Sequence, residues 1–259
     1  MKVYVVSRPS LDFEAVEKFL REHSTAWRRT TDSSSGDELV ELAGRVCYFS
    51  FGALQSKRTN REYISNLVSG GHDSVLEHAV WSFILTGVSR AFTHQLVRHR
   101  VGISFSQLSQ QYYDEADAEF VPPPELEDHP KLQAIWRRSV QGSLDAYKQI
   151  VQGLELEQTN LPSDSASRAA HTEITRAVRS AARSVLPNAT ETKIFVTING
   201  RALRHFLDVR GSIVGDLEMR LVSSMLLDAV LNDAPALFGD FYQEKLSDGT
   251  PIVKKRTAL

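Results

Sequence analysis

Residues 79–113 read AVWSFILTGVSRAFTHQLVRHRVGISFSQLSQQYY, and they decide how the rest of the chain is read. Residues 79–88 carry β-branched and aromatic side chains in partial alternation, which predicts a strand. Ser89 then serves as N-cap for a helix over SRAFTHQLVRHR, whose last turn is Arg98-His99-Arg100. Gly102 marks the end of that helix, and basic residues near a helix C-terminus suit its dipole. Beyond it, Ser104, Ser106, Gln107, Ser109, Gln110 and Gln111 are expected to form a polar loop.

Outward from this stretch, helical patterns dominate. Val3–Val6 reads as a short strand, followed by a helix with Phe13, Val16, Phe19 and Leu20 on one face and Ser10 as its N-cap. After a Ser/Thr-rich loop around Thr30–Gly36, the segment SSSGDELVELAGRVCY predicts a helix buried along Leu39, Leu42 and Val46, with Cys47 a buried thiol beside them. A long helix is expected after Pro130. Another is expected from about Asp164 to Val185, stopped by Pro187 and carrying Arg168, Arg176, Arg179 and Arg183. KIFVTI (193–198) predicts a strand; 200–209 and Gly215–Leu231 predict two further helices, the second ending before Pro235. With no repeat and no linker, the expectation is one α+β domain over 1–259, helix-rich with a small, mostly antiparallel sheet.

Composition narrows the chemistry. The 259 residues hold 30 Lys+Arg against 32 Asp+Glu, for a net charge of -2, which argues against a general nucleic-acid or anionic-membrane binder. Arginine supplies 21 of the 30 cations, and its planar fork grips phosphates and carboxylates in pairs of hydrogen bonds. No apolar run is long enough to span a membrane, and MKVYVVSRPS is a poor signal peptide, so a soluble cytoplasmic protein is expected. One cysteine excludes an internal disulfide framework and a multi-cysteine zinc site. His94 and His99 lie five apart, on different helix faces, so no metal site is expected. Rossmann, Walker and GxSxG signatures are absent. Three consecutive donors followed by serines and glutamines suit a site shared by two anionic, ring-bearing ligands. The same pattern also suits a plain solvated surface.

The triplet resembles the signature of flavin-dependent thymidylate synthases: Arg98-His99-Arg100, a spacer of eight residues, then Ser109. GHDSVLEH (71–78), RSVLPNATETK (183–193), NGR (199–201) and RHFLDVR (204–210) are similar to further blocks of that family, in the same order. The resemblance implies that family's fold and its reaction, reductive methylation at C5 of a uracil nucleotide. Methylenetetrahydrofolate gives the carbon, and FAD reduced by NADPH gives the hydride. It also implies that no cysteine attacks the ring, which suits a chain whose lone Cys47 is far from the motif. Arg210 takes the position of an arginine at the uracil edge that favours ionisation at N3. Gln95, Leu96, Val97, Arg98, Gln107, Leu108, Ser109, Gln110, Gln111 and Arg183 take positions that contact the nucleotide. Ser74, Arg98, His99, Arg100, Gln107, Asn199, Arg201 and His205 take flavin-contacting positions. In that family the active sites form at subunit interfaces of a homotetramer.

Three departures stand out. The spacer is eight residues rather than seven, Gln111 stands where an arginine usually grips the substrate phosphate, and Val214 replaces a histidine. They are similar to the branch that methylates UMP in nucleoside-antibiotic pathways of the polyoxin type, which implies UMP as substrate with dUMP as a second one. An ordinary dUMP-only synthase and a catalytically weak nucleotide- and FAD-binding relative are the alternatives.

Overall fold

A computed structural model describes residues 1–31, 33–159 and 168–256, the side chains of 158, 159 and 168–171 apart. In chain order the elements are β1 (Lys2–Ser7), α1 (Phe13–Glu22), α2 (Ser35–Tyr48), α3 (Asn60–Ser69), a 3-10 segment (Asp73–His78), β2 (Val80–Ser89), α4 (Arg90–Leu96) and β3 (Ile103–Gln107). Next come α5 (Pro130–Thr159), α6 (Arg168–Ala182), β4 (Glu191–Asn199), α7 (Gly200–Arg210), α8 (Leu217–Leu231), α9 (Pro235–Phe238), β5 (Phe241–Lys245) and β6 (Pro251–Lys255). This is the expected helix-rich α+β fold. The part of the helix expected over 164–167, and Asp32 in the Thr30–Gly36 tract, lie outside the described residues.

Local chemistry sets most helix starts. Ser89 accepts from the Phe92 N–H at 3.0 Å, Asn199 from Ala202 at 2.8 Å and Asp216 from Met219 at 3.0 Å. Thr59 and Glu62 form a reciprocal capping box on α3, a helix the periodicity did not reveal. For α1 the cap is Asp12, not the expected Ser10; the Asp12 carboxylate is one turn ahead of the Ala15 N–H it accepts from.

Other expectations are corrected. α4 stops at Leu96, so Arg98-His99-Arg100 lies in the turn beyond the helix rather than in its last turn. The expected polar loop begins as strand β3: Ile103 and Phe105 alternate with exposed Ser104 and Ser106. That period of two was hidden by the small polar residues between them. α2 buries the opposite face from the one predicted, with Val46 49 % exposed and Cys47 exposed. Its buried stripe is Gly36, Asp37, Glu38, Val40, Glu41, Gly44 and Arg45. These charges are buried because they are paired. Arg45 Nε donates to Glu41 at 2.7 Å, Asn60 and Trp27 donate to the same carboxylate, and Asp37 accepts the Ala236 and Leu237 N–H groups that open α9.

The described residues fall into two compact units. The first comprises Met1–Leu85, Arg98–Phe105 and Phe195–Leu259. Here β1 and the parts of β2, β4 and β3 that belong to the unit lie in a sheet of order β1-β2-β4-β3. Trp81, Phe83, Leu203, Phe206, Leu207, Leu227 and Phe238 are fully or almost fully buried in it. Trp81 packs edge-on against Phe238 with centroids 5.6 Å apart, and its indole N–H reaches Asp233 at 3.2 Å. β5 and β6, not anticipated from the sequence, pair antiparallel from Phe241↔Lys255 to Lys245↔Pro251.

The second unit, Thr86–Val97 with Ser106–Ile194, is built on the packed pair α5 and α6. Val140, Leu144, Val178 and Ala182 are buried there with Tyr147. The Tyr147 hydroxyl donates to Asp114 and accepts from the Glu115 N–H, both at 3.2 Å. Among the described residues no helix is long and apolar enough to cross a membrane.

Candidate functional site

In the first unit the chain turns at Gly102 and β3 sets off beside the start of α7. Gly102 has φ +72°, and its carbonyl accepts from the Asn199 N–H at 3.0 Å. A Cβ there would lie 2.6 Å from Asn199 Nδ2 and 2.9 Å from Ala202 Cβ, so glycine is required on both counts. This closeness brings the triplet to the C-terminal part of α7. Arg210 Nε donates to His99 Nε2 at 2.8 Å, across 111 residues of sequence. The His99 ring stands edge-on to Phe206 at 5.4 Å and lies 6.3 Å from the ring of His205.

Burial first, then Arg210 and His205, push the His99 pKa below the ordinary imidazole value. His99 is therefore neutral at pH 7. Because its Nε2 accepts a hydrogen bond, the ring proton sits on Nδ1. Among the described residues His99 is the one hydrogen-bond partner of the Arg210 guanidinium, so both terminal amino groups remain available to a ligand.

His205 also lines a cavity of about 460 Å³, together with Asp73, Glu77, Asn199, Arg201 and Asp208. Arg201 pairs with Glu77 at 2.7 Å, and this carboxylate holds the guanidinium pKa above its usual value. Both partners are close to half exposed, so solvent screens the pair and it is worth little to stability. Asn199 and Arg201 are donors suited to phosphate oxygens and ring carbonyls, and the volume suits one half of a flavin dinucleotide. Ser74 is exposed on the 3-10 segment and is not part of the cavity wall; Arg98 and Arg100 are also exposed. The donor set fits the cofactor expected here. Arg204, in the same helix, serves the fold: it is buried and binds both oxygens of Asp240 and the Leu237 carbonyl.

The second unit gathers the expected nucleotide-contacting residues other than Arg98 and Arg210. Gln107 donates to Thr93 at 3.1 Å and to Thr192 at 3.4 Å, and the Leu108 N–H donates to the Lys193 carbonyl. Ser109 accepts from the Gln111 N–H at 3.3 Å. Gln111 donates to Ser180 at 2.9 Å and accepts from Arg176 Nε at 3.3 Å. Gln95 and Val97 are half-buried, and the Leu96 side chain is in the core. Gln110 is buried, and Arg183 opens the 3-10 turn that follows α6.

Near Arg183, the expected Gln110 is joined by Arg90 and Glu115, two residues that sequence reasoning missed. Arg90 Nη1, Gln110 Nε2 and Glu115 Oε1 are buried without hydrogen-bond partners among the described residues. Burial pushes the Glu115 carboxyl up and the Arg90 guanidinium down; each acts on the other in the opposite sense. Arg183 adds a second positive charge beside Arg90. Such residues read as ordinary helix and loop polars in the sequence, and no local pattern marks their burial.

Residues 30–236 match the family described as thymidylate synthase complementing protein. The chain belongs to that family. It is 43 % identical over 235 residues to a flavin-dependent thymidylate synthase of Mycobacterium avium (strain 104), covering 90 % of both chains. It is 43 % identical over 224 residues to one of Mycobacteroides abscessus, covering 86 % of both. A flavin-dependent thymidylate synthase of Mycobacterium marinum (strain ATCC BAA-535 / M) is 41 % identical over 239 residues, covering 92 % of both. For this thymidylate synthase complementing protein family member, the site residues expected from the sequence divide by unit. Ser74, the triplet, Asn199, Arg201, His205 and Arg210 belong to the first unit; Gln95–Val97, Gln107–Gln111 and Arg183 belong to the second.

Proposed function

We propose that this protein is a flavin-dependent thymidylate synthase: it methylates C5 of a uracil nucleoside monophosphate reductively, using FAD, methylenetetrahydrofolate and NADPH. The observation that carries the reading is the connected set in the first unit, where a donor-lined cavity meets His205, His205 faces His99, and His99 holds Arg210. FAD, when bound, supplies the hydride chemistry that converts the transferred carbon into a methyl group. Asn199, Arg201 and His205 would hold it.

The chain's own residues bind, orient and polarise. His99 takes up the Nε of Arg210 and so fixes the plane of the guanidinium. The two free amino groups then face the uracil edge and stabilise negative charge as the N3 proton leaves. That raises electron density at C5. A fixed cation in a dry cleft does this far better than in water. A neutral His99 matters here, because an imidazolium would lose the acceptor and repel the arginine. Cys47 is exposed on α2 and has no part in the reaction.

For the nucleotide we favour dUMP. The names of the relatives support this choice. So does Gln111: its amide, the group that would offer a 2′-hydroxyl a partner, is already engaged with Ser180 and Arg176. The UMP-methylating reading rests on Gln111, Val214 and the eight-residue spacer alone. Release of tritium from C5-labelled dUMP and UMP decides between them. Faster release from dUMP is expected; faster release from UMP would restore the antibiotic-pathway reading. The proposal includes a cytoplasmic homotetramer of single-domain chains with active sites between subunits. A native mass of four chains is expected, and a stable, active monomer would contradict it.

A further inference from the structure

Beside the flavin-candidate cavity, the first unit holds a second cavity of about 650 Å³. The two share Val68, Asp208 and Lys255 in their walls, so they adjoin. What distinguishes the second is charge. Arg61 from α3, Lys255 from β6 and Arg256 just beyond it all face this space. Among the described residues none of the three has a carboxylate within 4.0 Å, whereas Lys254 next to them is paired with Glu244 at 2.7 Å.

The nearby acids are already used, with one exception. Both oxygens of Asp240 are bound by Arg204 at 2.7 and 2.6 Å. Buried Asp37, which feels Arg61, is occupied by the Ala236 and Leu237 N–H groups. Among the described residues that line this cavity, the Asp208 carboxylate alone is left to offset three cations. Apolar contact surface is present too, in Val68, Pro235 and Ala236. An excess of fixed positive charge over a partly apolar floor, opening onto a cofactor cavity, has the chemistry of a clamp for the anionic end of a long ligand.

We propose that this groove holds the multiply anionic end of a co-substrate whose reactive ring works in the adjoining cavity. The shared chemistry is a cluster of phosphate or carboxylate oxygens. It has two sources in the proposed reaction: the 2′-phosphate of NADPH, or the glutamyl chain of the folate. This inference rests on the proposed function, because only a flavin enzyme with those co-substrates brings such a ligand to this place.

The test uses the FAD-loaded full-length protein, wild type against Arg61→Gln/Arg256→Gln and against Arg61→Lys/Arg256→Lys. Lys255 is left intact because it also lines the first cavity. Calorimetric titrations with NADP⁺ and NAD⁺, and with mono- and pentaglutamyl tetrahydrofolate, distinguish the two sources. In one pair, the more anionic ligand should lose about tenfold in affinity in the glutamine variant, with the less anionic one almost unaffected. The lysine variant should recover most of the loss, and kcat at saturation should hold. Unchanged affinity for all four ligands, or an equal loss within each pair, would overturn the proposal. A wild-type protein that takes up no FAD would instead overturn the proposed function, so the two failures are separable.

Discussion

Arg210 is held by one nitrogen and free at two, and the proposed reaction uses that asymmetry. Lysine at 210 keeps the charge but has neither a fixed plane nor a fork. Arg210→Lys should therefore lower turnover by about 10²–10³-fold while FAD content, read from flavin absorbance, stays close to wild type. Equal turnover would remove Arg210 from the chemistry. His99 makes a second, pH-dependent prediction. Its folded-state pKa is depressed, so its contribution to stability is fully present above the ordinary imidazole value of about 6.5 and is lost as pH falls through the depressed value. The melting temperature should fall from about pH 6.5 downward, and His99→Gln should flatten part of that fall. A variant with the same acid-side slope would show that His99 does not titrate as described. The residue types of this pair were legible as a motif and a downstream block. Their mutual hydrogen bond was not, because no local pattern reports a contact 111 residues apart.

At the level of elements, the decisive piece is the turn between α4 and β3. Gly102 occupies the left-handed region and also lies against Asn199 and Ala202, so alanine there meets strain and a clash together. Gly102→Ala should cost about 1–3 kcal/mol, measured as a shift of the urea midpoint, and should loosen the triplet against α7. No shift would mean that the close approach is not needed. β2, β4 and most helices were legible because caps and apolar periodicity agree there. β3 was misread because serines interrupt its alternation. α2 was misread because it buries paired charges and leaves Val46 and Cys47 in solvent, which inverts the usual inference from hydrophobicity. Nothing in a helical wheel distinguishes a salt-bridged glutamate that is buried from one that is exposed.

For the whole molecule, the proposed function makes the first unit the flavin-holding one and couples its folding to the cofactor. Any ligand that binds only the folded state stabilises it by mass action, about 2.7 kcal/mol at a hundred times its dissociation constant. The melting temperature should rise steadily with FAD and should not respond to riboflavin to the same extent, since the proposed site assigns Arg201 and Asn199 to the cofactor's phosphate oxygens. An unaltered melting temperature would argue that the cavity beside His205 does not take the dinucleotide. The fold class was legible as a whole from strand and helix counts, whereas the division into two units was not. No Gly- or Pro-rich linker separates them, because the chain crosses between them inside strands β2, β3 and β4 and at the end of α4.

The central claim is that the protein itself joins a folate-borne carbon to a uracil nucleotide at the expense of NADPH through bound FAD. It is tested most directly by following dTMP formation and NADPH oxidation together, with FAD-loaded protein, dUMP and methylenetetrahydrofolate. One dTMP per NADPH is expected, with product formation abolished when either FAD or the folate is left out. NADPH oxidation with no methylated nucleotide, or methylation that continues without FAD, would contradict it.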